Sequence, residues 1–187
     1  YNLPTTICRF YNVYGPHQLE SGTYATVIGI FQKQYREKKT LTVTGEGLQR
    51  RDFTHIDDIV DGIVKCGEQI DQSNGKIFEL GRGVNHSIIE VTKMFGDVEI
   101  EYLPARPGEY DVTLADYSKA KELLGWNPVR NLDEYIAGII NEISWDMWLY
   151  STHKIFLHKG FKDMKRKKPI TKKIKNDMGF SIQINTD

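Results

Sequence analysis

The chain has 187 residues, 40% of them apolar, with equal numbers of acidic and basic side chains. This length suggests one domain, or part of a larger one, with enough apolar residues for a buried core. No apolar run is long enough to cross a membrane, and the first residues show no secretory pattern. Cys8 and Cys66 have neither metal-ligand spacing nor the pattern of a disulfide framework, so we expect a reducing, cytoplasmic setting.

Strand and helix patterns alternate along most of the chain. β-branched or alternating segments predict strands, and apolar residues spaced by three and four predict helices. The predicted strands are 5–10, 40–44, 51–56, 76–81 and 98–103, and the predicted helices are 23–39, 58–70, 87–95, 118–126 and 131–148. This alternation predicts an α/β fold.

The first predicted strand, TTICRF, has the β-branched and apolar composition of a buried strand, yet no earlier strand can pair with it. The strands are also too few for a complete doubly wound sheet. We therefore expect the chain to be the back part of a longer protein; the alternative is a small self-sufficient domain.

Asp57 is expected to cap the helix predicted at 58–70, with Ile59, Val60, Ile63 and Val64 on one helical face.

Three short motifs carry residue types that suit an anionic ligand. Arg51 lies between a glycine turn and a strand, and an arginine held in this way can bind a phosphate or carboxylate with two hydrogen bonds. Arg106 lies in a Pro-Gly loop, three residues before Glu109. Asn12 follows the first strand, where ligands collect in open α/β sheets. Taken singly, each motif also fits a structural ion pair or turn. His55 lies among acids, but its spacing is a poor metal signature.

Five motifs resemble, in order, the back half of the extended short-chain dehydrogenase/reductase family, the NAD-dependent sugar-nucleotide epimerases and dehydratases. They are RFYNVYGP, LTVTGEGLQRRDFTHIDDIVDGI, FELGRG, RPGE and ADYSKAKELLGWNP. The resemblance implies late strands of a Rossmann-type sheet plus a smaller C-terminal substrate-binding domain over residues 1–148, with the front half of the Rossmann domain missing. It also implies that segments 5–10 and 76–81 are Rossmann strands.

The resemblance assigns the diphosphate of a nucleotide sugar to Asn12, Arg51 and Arg106, and the nucleotide ribose to Glu109. Asp57 would cap the helix behind this site.

The resemblance places Thr42 and Thr44 on the strand that meets the base, and Phe10 and Tyr11 near the nicotinamide of NAD. The glycine-rich NAD loop and the catalytic Tyr-x-x-x-Lys pair of the family normally lie upstream of the matched segment. We therefore expect no catalytic residue in this chain, no activity from it alone and no binding of NAD to it alone.

The resemblance implies a UDP-sugar 4-epimerase that acts through a transient 4-keto sugar and is a homodimer when intact. A nucleotide-sugar 4,6-dehydratase and a UDP-glucuronate decarboxylase are the alternatives within the family. A non-catalytic nucleotide-sugar-binding module is the alternative outside it. We expect no nucleic-acid partner.

Residues 149–187 form a basic tail, to which the resemblance does not extend. Residues 151–187 carry a net charge of +7, and residues 1–150 carry −7. The simplest interpretation of the tail is a solvated extension. The alternative is a basic amphipathic segment that docks on the acidic body of the chain or on an anionic membrane, and its short apolar face favours docking on protein.

Overall fold

The computed structural model of the chain describes residues 3–145, 173–175 and 181–183. The chain divides into two units, Tyr1–Ser144 and Trp145–Asp187. No helix among the described residues is both long and apolar enough to cross a membrane. The tail, residues 149–187, lies outside the described residues apart from two short strands, so the docking expected of it stays a prediction.

Strands and helices alternate through the first unit. The strands are β1 Ile7–Phe10, β2 Val13–Tyr14, β3 Leu41–Thr44, β4 Arg50–Asp52, β5 Thr54–His55, β6 Ile77–Leu80, β7 Asn85–Ser87 and β8 Ile100–Leu103. The helices are α1 Val27–Arg36, α2 Ile56–Glu68, α3 Ile70–Ser73, α4 Ile88–Met94 and α5 Ser118–Leu124, followed by α6, which covers 132–145. In the second unit, β9 Lys173–Lys175 pairs antiparallel with β10 Ser181–Gln183.

Each predicted strand and helix has a counterpart, although the predicted strand 51–56 divides into β4 and β5. The patterns in the sequence do not predict β2, β7 or α3. The last three residues of the predicted helix 131–148 lie outside the described residues.

Three of the four strand pairs in the first unit are parallel. β1 pairs with β6, β2 with β5, and β3 with β8, whereas β4 pairs antiparallel with β7. Parallel strands need a crossover connection, which the intervening helices supply. The α/β layout expected from the alternating pattern is therefore present.

Two apolar clusters hold the first unit together. The first core includes Tyr14, Phe31, Val43, Phe53 and Ile136, which come from α1, α6 and the strands around β3. The second core contains Ile59, Phe78, Leu80, Leu124 and Trp126, where α2 and α5 pack on β6.

The expectation that β1 is a buried strand is wrong for the described residues. Ile7 is 56% exposed and Phe10 is 50% exposed. β1 pairs with β6 on one edge, and its Cys8 side chain packs against the second core, so only part of the strand is covered within the described residues.

The expected cap of α2 is also wrong. His55 is the N-cap residue, and its Nδ1 accepts a hydrogen bond from the backbone N–H of Asp57 at 3.1 Å. Burial lowers the pKa of His55, which keeps the imidazole neutral and able to accept near neutral pH. Asp57 instead lies in the first turn, where an acidic side chain complements the helix dipole.

The buried face of α2 differs from the predicted apolar face. Ile59, Gly62 and Cys66 are buried, whereas Val60, Ile63 and Val64 are each about half exposed. Gly62 explains the orientation, since a Cβ there would lie 2.8 Å from Leu80 Cδ1 and 3.0 Å from Trp126 Nε1. The helix therefore approaches the second core through its glycine.

Two glycines of α2 should respond in opposite ways to alanine. Gly62→Ala should lower the free energy of unfolding by about 1–3 kcal/mol, because a well-packed core must move to admit the methyl group. Gly67→Ala should raise it by about 0.5–1 kcal/mol, because a Cβ at this position would have no neighbouring atom within 4 Å and alanine has the higher helix propensity. Urea denaturation of both variants measures the difference, and equal effects would contradict the packing described.

Candidate functional site

A pocket of about 380 Å³ opens between α1, β3 and the loop that follows β8. Six residues predicted from the sequence to bind a ligand lie in its wall: Asn12, Thr42, Thr44, Arg51, Arg106 and Glu109. These residues come from four separate segments of the chain. The fold therefore brings together side chains that the sequence separates by up to 97 positions.

Arg51 is held at the pocket wall by its strand and by two hydrogen bonds. β4 pairs with β7 at this point, with Arg51 opposite His86. The guanidinium donates to Glu109 Oε1 at 2.9 Å and to the backbone oxygen of Arg50 at 2.9 Å. Only 12% of the Arg51 side chain is exposed. A cation is thus fixed in a position where an anion in the pocket can reach it.

The loop that carries Arg106 and Glu109 is attached to β4 by its backbone. Arg50 N donates to Asp111 O at 2.7 Å, and Thr113 N donates to Arg50 O at 3.0 Å. Gly108 has a φ of 78°, which a glycine adopts readily and which lets the loop turn between the two charged residues. The two arginines therefore reach the same pocket from segments joined by hydrogen bonds.

Asn12 follows β1 and has a positive φ of 28°. Its Nδ2 donates to Asp52 O at 3.2 Å and to Thr113 Oγ1 at 3.0 Å. Asparagine tolerates positive φ better than most residues do. The side chain is thereby oriented by β4 on one side and by the segment after the arginine loop on the other.

Asp52 is fully buried and connects the segments on which the pocket depends. Its carboxylate accepts from the backbone N–H groups of Arg82, Gly83 and Ala115 at 2.8–3.0 Å and from Thr54 Oγ1 at 3.3 Å. Its partners are backbone donors and the Thr54 hydroxyl, and Arg50 is not among them. Arg50 instead forms an ion pair with Glu90 at 3.0 Å.

Gln34 and Gln49 contact the pocket strand β3, and the sequence motifs do not single out either residue. Gln34 Oε1 accepts from Thr42 N at 3.2 Å, while its Nε2 donates to Thr42 Oγ1 at 2.8 Å. Gln49 Nε2 donates to Thr44 O at 3.0 Å. Both contacts depend on how α1 and the turn at Gly45 and Gly47 fold back on β3. A helical or turn pattern alone does not reveal them.

Phe10 and Tyr11, the two residues assigned to NAD by resemblance, do not line this pocket. Phe10 ends β1 with half of its surface exposed, and burial together with a hydrogen bond to Glu79 raises the pKa of Tyr11. Their role in cofactor binding stays a prediction.

The spacing Tyr-x-x-x-Lys occurs three times in the chain, at Tyr35 and Lys39, at Tyr117 and Lys121, and at Tyr150 and Lys154. The last pair lies outside the described residues. None of the other four residues lies in the wall of the pocket. Tyr35 packs against the first core, and Tyr117 packs edge-on against Trp126.

The family model for GDP-mannose 4,6 dehydratase matches residues 1–139. The chain is 37% identical to a UDP-glucose 4-epimerase of Mycolicibacterium smegmatis, covering 67% of this chain and 41% of the relative. It is 32% identical to UDP-glucuronic acid decarboxylase 4 of Arabidopsis thaliana, covering 68% of this chain and 29% of the relative. The chain spans less than half the length of the curated relatives it matches.

The fold is similar to that of a solved UDP-glucuronic acid 4-epimerase from Bacillus cereus, in complex with UDP-glucuronic acid and NAD. The TM-score is 0.68 at 32% identity, and the match covers 76% of this chain and 46% of that structure. This likeness confirms the expected α/β, Rossmann-type fold class.

Replacing the Asp52 carboxylate should destabilise the chain strongly. Asp52→Ala leaves the backbone N–H groups of Gly83 and Ala115 without an acceptor, and that of Arg82 with Thr54 Oγ1 alone, so the free energy of unfolding should fall by about 3 kcal/mol or more. Asp61→Ala is the matched control, because its exposed ion pair with Lys65 should contribute less than about 1 kcal/mol. Chemical denaturation of both variants tests this, and a similar small loss in each would show that Asp52 does not have the structural importance described.

Proposed function

This chain belongs to the NAD-dependent epimerase/dehydratase family, and we propose that its pocket binds a nucleotide sugar for a UDP-sugar 4-epimerase. The observation that carries the proposal is the convergence of Arg51 and Arg106 on one pocket from separate segments. In this assignment the chain supplies the substrate-binding portion of the enzyme.

Charge and geometry support a diphosphate at the two arginines. A guanidinium presents a planar set of donors that matches phosphate oxygens, and its hydrogen bonds to an anion are stronger than those between neutral groups. Arg51 has Glu109 as an anionic partner within the chain, at 2.9 Å. A diphosphate in the pocket would therefore contact Arg51, whose charge Glu109 partly balances, and Arg106 on the neighbouring loop.

The remaining polar groups suit the other parts of a nucleotide sugar. Glu109 is an acceptor for the hydroxyl groups of a ribose, and it lies beside the proposed diphosphate position. Asn12, which the resemblance assigns to the diphosphate, lies in the same wall, and its amide is oriented by Asp52 and Thr113. Thr42 and Thr44 lie on β3 at the wall nearest α1, where we place the base.

NAD would supply the acceptor and donor of hydride at C4 of the sugar. Phe10 fits a place beside such a cofactor, because it ends a parallel strand and leaves half of its apolar surface open. The residues of this chain would bind the nucleotide and hold the sugar next to the cofactor. Catalytic power then depends on how rigidly the diphosphate is held.

A UDP-glucuronate decarboxylase is the second candidate, supported by the similarity to the Arabidopsis thaliana relative. The two candidates need the same nucleotide-binding groups in this chain. They differ in the group at C5 of the sugar.

Arg51→Met and Arg106→Met should each weaken binding of UDP to the full chain by about 1.5–3 kcal/mol, through loss of charge-assisted hydrogen bonds. The larger loss should occur at Arg51, because the variant also leaves Glu109 as an unbalanced anion beside the phosphates. Isothermal titration calorimetry measures both affinities.

Arg130→Met is the matched control for this titration. Arg130 is 59% exposed in its side chain and forms an ion pair with Asp57 outside the pocket, so its replacement should leave UDP affinity unchanged. Equal affinities in wild type, Arg51→Met and Arg106→Met would refute the assignment of the diphosphate.

A further inference from the structure

The side chains of Cys8 and Cys66 meet at the edge of the second core. Their Sγ atoms lie 3.7 Å apart, although 58 positions separate the two residues along the chain. Both are free thiols, with Cys8 partly exposed on β1 and Cys66 buried on α2. The chain contains two cysteines in all, so the fold brings its whole set of thiols into contact.

A close approach of α2 to the sheet produces this contact. Gly62 and Cys66 are one helical turn apart on the buried face of α2. A Cβ at Gly62 would lie 2.8 Å from Leu80 Cδ1, so a residue without a side chain permits this spacing between α2 and β6. β1 pairs with β6, and side chains alternate along a strand. Cys8 therefore faces the second core, while Ile7 on the other face of β1 is 56% exposed.

Hydrogen bonds hold the start of β1 against the segment that follows α2. Thr6 Oγ1 donates to Ser73 O at 3.0 Å, and Ser73 Oγ donates to Cys66 O at 2.7 Å. Ser73 is fully buried. Gly75 N also donates to Thr5 O at 2.7 Å. The backbone segments that carry the two sulfur atoms are thus fixed relative to each other, and contact between the thiols needs no rearrangement of the chain.

The contact between the two sulfur atoms is a short movement away from a covalent bond. The sulfur atoms of a disulfide are about 2.0 Å apart, so each Sγ has to move by roughly 1 Å toward the other. Rotation about the Cα–Cβ bonds can move Sγ by such a distance while the backbone stays in place. In cytosolic proteins a disulfide of this kind is usually transient and responds to the redox state.

We propose that Cys8 and Cys66 form an oxidation site, at which a small disulfide such as glutathione disulfide converts the two thiols into a reversible bridge between β1 and α2. The proposal is independent of the proposed function. Neither cysteine lies in the wall of the nucleotide-sugar pocket.

Two exchange steps form the bridge. Cys8, the more accessible thiol, attacks one sulfur of glutathione disulfide as its thiolate; the S–S bond of the reagent breaks, and the first glutathione leaves and takes up the proton that Cys8 released. Cys66 then attacks the Cys8 sulfur, gives up its proton and displaces the second glutathione. Two electrons pass from the cysteine pair to the reagent, which leaves as two thiols. Burial raises the pKa of Cys66 to about 12, so its thiol is seldom ionised near neutral pH and the second step limits the rate.

The bridge closes a loop that contains both Asn12 and Arg51. Such a cross-link removes conformations from the unfolded chain, so the oxidised form is the more stable one. We expect its Tm to exceed that of the reduced form by about 5–10 °C. Hydrogen exchange at the backbone amides of β1 should also slow, because the bridge opposes local opening of this strand.

The test incubates the full chain in a graded series of mixtures of reduced and oxidised glutathione. Acid quenching followed by intact-mass measurement and thiol counting then separates the products. Wild type should lose both thiols together, with a mass loss of two hydrogens and no bound glutathione. Dithiothreitol should restore both thiols and the lower Tm.

The double variant Cys66→Ala/Val64→Cys is the matched control. It keeps two thiols but places the second one on the outer side of α2, where Val64 is 48% exposed. In mixtures that bridge wild type completely, this variant should stay reduced or carry bound glutathione, and its Tm should not rise.

Persistence of both thiols in wild type throughout the series would overturn the proposal. Bound glutathione in wild type at the level of the control would do the same, as would disulfides between two chains, visible as dimers on a non-reducing gel. A control variant that forms an intramolecular bridge as readily as wild type would also overturn it, because the contact between Cys8 and Cys66 would then confer no preference.

Discussion

The buried carboxylate of Asp52 is the interaction on which the pocket depends most. It joins β4 to the turn after β6 and to the segment at Ala115, because it accepts from the backbone N–H groups of Arg82, Gly83 and Ala115. Among the described hydrogen bonds, only Arg82 N has a second acceptor, Thr54 Oγ1. A buried carboxylate is stable in the interior when several donors replace its water, as they do here. Arg51 precedes this anchor in β4, and the Asn12 amide donates to the backbone oxygen of Asp52. Both side chains are consequently held in place for a ligand.

The pair formed by Arg51 and Glu109 has two consequences for binding. It holds the guanidinium at the wall in the absence of a phosphate, which limits the ordering that a ligand must impose. It also places a carboxylate within a few ångströms of the proposed diphosphate, and the repulsion between them opposes binding. A ligand that offers hydroxyl donors to Glu109 while its phosphates meet Arg51 satisfies both groups. Inorganic phosphate alone does not.

The sequence predicted most of the elements in their order, because local periodicity carries that information. The six residues that the resemblance assigns to the nucleotide sugar lie in the wall of one pocket, and their role in binding stays a prediction. It did not predict how completely each surface is covered. The exposure of Phe10 and Val60 depends on which faces pack together, and the spacing of apolar residues is the same in either case. The N-cap of α2 could not be assigned from the sequence, because the side chains of His55 and Asp57 can both accept a backbone hydrogen bond. The direction of the chain after β5 decides between them.

Gln34 and Gln49 show a second limit of sequence reasoning. Each is a polar residue in an ordinary helical or turn pattern, and its partner is a backbone group of β3. Such contacts leave no motif, since any backbone offers the same donor and acceptor. They depend on the three-dimensional placement of α1 and of the turn beside β3.

The segment from Arg50 to Asp58 concentrates many long-range contacts within nine positions. Its polar side chains contact distant parts of the chain: Arg50 bonds Glu90, Arg51 bonds Glu109, Asp52 bonds Arg82 and Ala115, and Asp58 bonds Val129 and Arg130. The apolar residues between them enter the two cores, with Phe53 in the first and Ile59 just beyond in the second. Alternation along β4 and β5 makes this division possible, because neighbouring side chains point to opposite faces. The segment therefore determines how the two cores are connected and where Arg51 enters the pocket wall. A shift of its register by one residue would move each side chain of the segment to the opposite face.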